Sequence, residues 1–271
     1  MIRKWLASLR ERAERRGIAL RPMTRGEDGG YAGFSLSWNA DASRQLRGLI
    51  AEISDPRGTA RMFVENERDL IQREHAQGRF YEREELDLIA RHFSGGSYVD
   101  VGANVGNHAV YAGAFLGAET LHLFEPLPAA HRLLEVNVAL NDLAARTRLH
   151  RVALSDAEGE AGMAMMTNNL GAARIDPQTK GDSVRLARGD DILAGEPVDF
   201  IKIDVEGHEI AALRGLKNVL GGQRPILFVE VEDENRAAFS ALMQSHAYSE
   251  AEVIQRYHGR ANILCLPDEH T

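Results

Sequence analysis

Cysteine is nearly absent from this sequence. Among 271 residues there is one, Cys265, inside the apolar run Ile263, Leu264, Cys265, Leu266. A single thiol excludes a disulfide framework and a thiolate zinc site, and suits a reducing compartment. Aromatic residues make up only 6%, and the eight prolines include no Pro-Pro pair. No apolar run approaches the roughly 18–20 residues of a membrane-spanning helix. The first residues, MIRKWLASLRERAERRG, carry positive charge but neither an apolar core nor a small-residue cleavage site, so they do not read as a secretory signal. The expected location is therefore the cytoplasm. Lysine is scarce as well, confined to Lys4, Lys180, Lys202 and Lys217.

What is present is an ordinary globular mixture, 44% hydrophobic and 27% charged, with a net charge of -8. That acidic balance argues against a protein built to grip nucleic acid. The charge is uneven: residues 1–30 hold eight Arg/Lys against four Asp/Glu. Within them, Ile2, Trp5, Leu6, Leu9 and Ala13 recur at helical spacing. This predicts an amphipathic helix over 2–16, docked on its own protein or on a second copy, with a membrane-surface helix as the weaker alternative. Residues 24–33 read as a Gly-rich linker, and 41–53 and 64–77 as weakly patterned helices. Together they suggest a helical appendage over 1–80, followed by a main domain over 81–271.

From residue 84 the pattern sharpens. A helix is expected over 84–93. Strands follow at 97–101, 120–124, 148–154, 198–203, 225–231, 250–256 and 261–266, and helices at 107–116, 128–140, 208–220 and 234–246. Short apolar runs alternating with helices predict an α/β fold with a mostly parallel sheet. The last two strands, joined around His258 and Gly259, predict an antiparallel edge hairpin, and 155–197 an insertion of small strands and loops.

Four motifs fall at strand ends, where an open parallel sheet binds its ligands. The first is Asp100-Val101-Gly102-Ala103-Asn104-Val105-Gly106. Gly102 is expected to permit a tight turn and close approach of a ligand. Asn104 should adopt a left-handed conformation, and Gly106 should let the next helix pack. The spacing is not the G-x-G-x-x-G of a dinucleotide turn, and no Walker loop is present. Asp100, an acid beside the ligand, suits a cationic amino group. A Gly-rich turn with no ligand is the alternative. The second motif, Phe124-Glu125-Pro126, places Glu125 where a carboxylate can accept hydrogen bonds from a ribose diol. The third, Ile201-Lys202-Ile203-Asp204-Val205-Glu206-Gly207-His208-Glu209, brings Asp204 to the same crevice. The fourth, Phe228-Val229-Glu230-Val231-Glu232, sets Glu230 beside Asp204.

These four motifs in this order, with Leu213-Arg214-Gly215 after the third and Gly78, Phe80, Tyr81 and Glu82 ahead of the first, resemble the FkbM family of S-adenosylmethionine-dependent methyltransferases over roughly residues 67–266. The resemblance implies a Rossmann-like class I methyltransferase fold with a seven-stranded, mostly parallel sheet and an antiparallel edge. It also implies O-methyl transfer to a small molecule or sugar. By position, Asp100, Gly102, Asn104 and Gly106 would frame the methionine part of S-adenosylmethionine and Glu125 would hold the ribose, with Ala103, Asn107 and Pro126 also binding the cofactor. Ala153 and Asp156 would approach the adenine, and Tyr81 and Glu82 would cover the cofactor.

An aliphatic hydroxyl needs a base or a metal to draw off its proton near neutral pH. Asp204 is the first candidate base, with Glu230 and His208 next. Glu206 and Glu209 are alternatively helix-capping acids, and Glu206 and Glu232 are expected to point away from the crevice. A metal-free base ranks ahead of a divalent metal. The alternative functions are a non-catalytic nucleoside-binding scaffold and an NAD-dependent oxidoreductase. The expected partners are a small-molecule or sugar acceptor and, as a candidate, a second copy of the chain.

Overall fold

Seven extended segments, most of them rich in apolar and β-branched residues, pair into one sheet. A computed structural model of the chain describes residues 18–22, 34–38, 41–164, 174–175 and 183–270. The helix expected over 2–16 and the linker over 24–33 lie outside the described residues. Four strands form the parallel centre with β7 at its edge: β5 (Gly96–Val101), β6 (Ala118–Phe124), β7 (Thr147–His150), β12 (Phe200–Ile203) and β13 (Ile226–Glu232). β14 (Tyr248–Tyr257) and β15 (Arg260–Pro267) add the antiparallel hairpin. The order is β14-β15-β13-β12-β5-β6-β7, with only the β13–β15 and β14–β15 pairings antiparallel. This is the expected Rossmann-like arrangement, seven strands, mostly parallel, with an antiparallel edge.

Alternate residues of the central strands feed two cores. Tyr98, Phe200 and Phe228 face one side of the sheet, with α2 (Arg83–His92) and α3 (Asn107–Phe115). Val99, Ile201 and Val229 face the other, with α6 (Glu209–Arg214), α7 (Lys217–Gly222) and α8 (Arg236–Ser245). Side chains pointing alternately to the two faces of a pleated strand require this division. Between β6 and β7 runs α4 (Pro128–Leu140), with Pro at its first turn.

The helix expected over 208–220 is broken into α6 and α7 at Gly215. A side chain there would meet the Ser155 carbonyl oxygen at 2.0 Å. Asp190, in the short α5 (Gly189–Ile192), accepts from the backbone of Asn218 and Val219 and so caps α7 from outside. The strand expected over 148–154 is split: β7 stays in the main sheet, and β8 (Ala153–Leu154) joins a small sheet with β9 (Gly159–Ala164), β10 (Arg174–Ile175) and β11 (Ser183–Ala187) of the insertion.

The N-terminal part departs from expectation. Residues 41–53 are not helical: β3 (Asp41–Asp55) is a long strand in a meander with β1 (Ile18–Pro22), β2 (Phe34–Trp38) and β4 (Gly58–Val64). Its second half buries Ala51 and Ile53 and exposes Glu52 and Ser54, a strand's period of two. Of the helix expected over 64–77, only α1 (Leu70–Ala76) forms, capped by Asp69, which accepts from Gln72 N at 3.0 Å. The β3–β4 hairpin is no loose attachment, since Ile53, Ala60 and Met62 belong to the same core as Leu86, Tyr111 and Leu121. Asn137 of α4 binds the backbone on both sides, accepting from Phe63 N of β4 and donating to Val105 O in the glycine-rich turn. Among the described residues no helix is long and apolar enough to cross a membrane.

Candidate active site

The C-terminal ends of β5, β6, β12 and β13 open into a cavity of about 480 Å³, a volume in the range of small-molecule sites. The turn after β5 forms one wall. Gly102, Asn104 and Gly106 all have positive φ, at 79°, 49° and 91°, so the left-handed Asn104 is as expected. Gly102 is also constrained by the protein itself. A side chain there would lie 1.8 Å from the carbonyl oxygen of Asp204, at the neighbouring strand end. At Gly106 the neighbour is Leu134 of α4, at 2.8 Å.

Glu125 anchors the same wall. Its Oε2 accepts from Asn104 N and its Oε1 from Leu127 N, both at 2.8 Å. Burial nevertheless raises its pKa to about 7, because two backbone donors only partly replace the lost hydration. Ala103, Asn107, Pro126 and Ala153 complete this side.

Beneath the turn lies an ion pair for which the sequence reading assigned no role. Lys202 and Asp100 are partners across the parallel β12–β5 register, with Nζ 3.0 Å from Oδ1 and both side chains buried. Nζ also donates to Gly102 O at 2.9 Å and stands 3.8 Å from the Asp204 carboxylate. Asp100 is therefore not a cavity-facing acid. The cation it faces is the protein's own, and the pair braces the turn from below.

The opposite wall is acidic. One carboxylate oxygen from each of Asp204, Glu206 and Glu230 lies within 4.8 Å of the others. Glu206, expected to point away, is turned inward by the left-handed backbone at Glu206 and Gly207. Arg260 holds two of the three, donating to Glu206 at 2.8 Å and to Glu230 at 2.9 Å. Burial and the neighbouring Asp204 push the Glu230 carboxyl far above the usual range, and Glu206 shifts the same way for the same reasons. Glu232 does turn away, to Arg174. Glu209 is a tie and not simply a cap, accepting from Glu232 N and from the Asn235 side chain.

Two segments distant in sequence close the cavity. Asn107 accepts from Tyr81 N and donates to Tyr81 O, which fixes the segment carrying Tyr81 and Glu82 against the glycine-rich turn. The hairpin tip supplies Tyr257 and His258, and the Tyr257 hydroxyl lies 2.6 Å from that of Tyr81. The Arg256 guanidinium sits over both rings.

The structure thus gathers Tyr81, Glu82, Gly102, Ala103, Asn104, Asn107, Glu125, Pro126, Ala153, Asp204, His208 and Glu230 around one cavity. It leaves Asp156 exposed and off the lining, because the chain turns outward after Ser155. Gly106 and Asp100 lie behind the lining. His208 lines the cavity but bonds Ser155 Oγ at 3.1 Å on the insertion side, apart from the carboxylate group. Burial lowers its pKa. Missed from sequence were Lys202, Glu206, His108, Tyr257 and Arg260. A lysine inside an apolar strand was the one available signal among them.

Residues 100–256 match the Methyltransferase FkbM domain. A curated relative, methyltransferase sdnD of Sordaria araneosa, is 26% identical over 153 residues, 44% of this chain and 59% of that protein. The solved methyltransferase FkbM from Methylobacillus flagellatus KT is similar at 18% identity and a TM-score of 0.46, over 62% of this chain and 43% of that one. The putative methyltransferase yhhF from Escherichia coli is similar at 14% identity and a TM-score of 0.47, over 81% and 99%. The chain spans less than two thirds of the length of the first two. The domain match takes in more than half of the 271 residues and every strand-end motif from Asp100 to Glu230, and the chain belongs to the FkbM methyltransferase domain family.

Proposed function

We propose that this chain transfers the methyl group of S-adenosylmethionine to a hydroxyl of a small molecule or sugar in the cytoplasm. The observation that carries this reading is the Glu125 carboxylate, buried at the cavity edge and fixed through both oxygens by backbone N–H groups. Each oxygen keeps a lone pair for one hydroxyl of a ribose diol. The donor fits the charge of the site too. Carboxyls at Glu82, Glu125, Glu206 and Glu230 all hold their protons unusually tightly, chiefly because burial disfavours their charged form, a setting that a bound cation would relieve, and Lys202 is already committed to Asp100.

S-adenosylmethionine supplies an activated methyl on a cationic sulfonium. The chain's own residues position and deprotonate the acceptor. Asp204 accepts a hydrogen bond from the acceptor hydroxyl, and a cavity carboxylate receives the proton as the oxygen attacks. Orientation alone contributes several of the roughly 7–11 kcal/mol available from a well-held pair. Arg260, bridging Glu206 and Glu230, provides the positive charge that adjacent carboxylates need and supports action without a metal. Turnover that vanishes with a chelator and returns with Mg²⁺ would reverse this.

The test is calorimetric titration with S-adenosylmethionine, followed by mass spectrometry of hydroxyl metabolites incubated with enzyme and methyl donor. A product one methylene heavier, formed together with S-adenosylhomocysteine, is expected. Binding without transfer to any acceptor would favour the scaffold reading. The G-x-x-x-G turn and the Asp100–Lys202 pair beneath it give no support to an NAD-dependent oxidoreductase.

A further inference from the structure

Glu82 opens α2 in a left-handed conformation, φ 57° and ψ 52°, and makes no capping hydrogen bond there. That backbone is uncommon for a residue with a side chain. It delivers the carboxyl into the cavity, where 11% of the side chain reaches solvent. Facing it, 3.7 Å from Oε2, is Nε2 of His108 in the first turn of α3. His108 is 6% exposed and lines the cavity, and its Nε2 has no hydrogen-bond partner among the described residues. The other carboxylates of this wall are engaged, Glu206 and Glu230 by Arg260 and Asp204 alongside Lys202. Among the described residues Glu82 forms no ion pair with an arginine or lysine.

We propose that Glu82, set against His108, is the base that receives the acceptor's hydroxyl proton, and that it becomes available only when the cationic methyl donor is bound. The inference rests on the methyl-transfer reading. In the step, the acceptor oxygen bonds to the methyl carbon and the carbon–sulfur bond breaks. Its electron pair goes to sulfur, and the hydroxyl proton goes to the Glu82 carboxylate.

The groups facing Glu82 explain the gating. Burial, Asp204 and Glu85 press its carboxyl toward the protonated form, while Lys202 and Arg256 pull the other way. Glu230, across the cavity, is raised in turn by Glu82. His108 is held neutral by burial and by Lys202, so it sets no positive charge against Glu82 before the donor arrives. A cation arriving at the glycine-rich turn favours the ionised carboxyl. Glu82 then releases its proton to solvent as the donor binds, and takes one back from the acceptor during transfer.

The experiment is calorimetry of the full chain with S-adenosylmethionine and with S-adenosylhomocysteine, in buffers of different ionisation enthalpy near neutral pH. The wild type should release up to about one proton per sulfonium ligand, and fewer with the neutral thioether. In Glu82→Gln that difference should disappear, and in Glu82→Asp it should survive. A measurement on the wild type alone guards against a misfolded variant: the preference for S-adenosylmethionine over S-adenosylhomocysteine should rise by roughly tenfold from mildly acidic to mildly alkaline pH. Binding of both ligands with equal proton release in wild type and Glu82→Gln, or a preference independent of pH, overturns the role of Glu82 and leaves methyl transfer standing. Failure to bind either ligand overturns both.

Discussion

The two walls of the cavity are made differently. On one, backbone does the work: a turn with three positive-φ residues, Asn104 N and Leu127 N on Glu125, and carbonyl oxygens against Gly102 and Lys202. On the other, three carboxyl side chains crowd together with Arg260 between two of them. A backbone wall is sensitive to added bulk and to whatever braces it from behind. A side-chain wall is sensitive to charge and pH. The first suits a constant ligand such as a nucleoside, the second a changing proton inventory.

The largest effects should come from removing the support of the backbone wall. A chain beginning at residue 67 loses β3 and β4, and with them Ile53, Ala60 and Met62 from the core and the Phe63 N–H that Asn137 satisfies. It is expected to lose cooperative thermal unfolding. Full cofactor binding by that chain would make residues 1–66 a true appendage. Next is Gly102→Val. The new side chain would collide with the Asp204 carbonyl, and the residue sits at φ 79°. A cost above about 4 kcal/mol is expected, among the largest for single substitutions, read from denaturant unfolding.

Lys202→Met should follow, at about 3–5 kcal/mol, because it strands a buried carboxylate at Asp100. Replacing both partners, as in Lys202→Met with Asp100→Leu, should restore much of the loss. A double variant no more stable than the single one would show that Lys202 acts chiefly through Gly102 O.

Glu125→Ala should weaken S-adenosylmethionine binding by about 1.5–3 kcal/mol, the range for hydrogen bonds to a charged group. Unchanged affinity would remove Glu125 from the ribose. Its titration offers a second measurement. Folding raises this carboxyl from 4.5 to about 7, so across that interval the native state binds more protons than the unfolded one. Stability therefore falls as pH rises through the interval. Relative to Glu125→Gln, the wild type should lose stability with rising pH there and level off above it. Parallel curves would mean that the carboxyl is already ionised.

The backbone wall was largely legible in the sequence, and the side-chain wall was not. Glycine spacing and an acid at a strand end are local signals, and Gly102, Asn104 and Glu125 stand where those signals placed them. Lys202 was visible as a charge in an apolar strand. Its partner needed the register of β5 against β12, which no local pattern states. Glu206 was misread because a left-handed pair of residues after a strand breaks the alternation on which facing is judged. Tyr257 and Arg260 reach the site from the far end of the chain, Tyr257 meeting Tyr81 from 176 residues away. The helix expected over 41–53 failed for another reason. The Asp55-Pro56-Arg57-Gly58 turn is a local hairpin signal, and it pairs β3 with β4 where the short periodicity suggested a helix.

The smallest expected effect tests where the two walls meet. The hydroxyls of Tyr81 and Tyr257 join the segment that Asn107 ties to the backbone wall with the hairpin tip that carries Arg260 to the acidic one. Tyr257 is partly exposed, so Tyr257→Phe should cost no more than about 1 kcal/mol of stability, one hydrogen bond's net value. Arg256 would keep a ring to sit over. If the tyrosine pair holds the cavity closed, its loss should appear in the rate of ligand escape. S-adenosylhomocysteine should dissociate several-fold faster from the variant, with association and unfolding midpoint little changed, measured by stopped-flow displacement. An unchanged dissociation rate would mean that the tip is held by Arg256 and its ion pair with Glu85, and that the hydroxyl contact is incidental to closure.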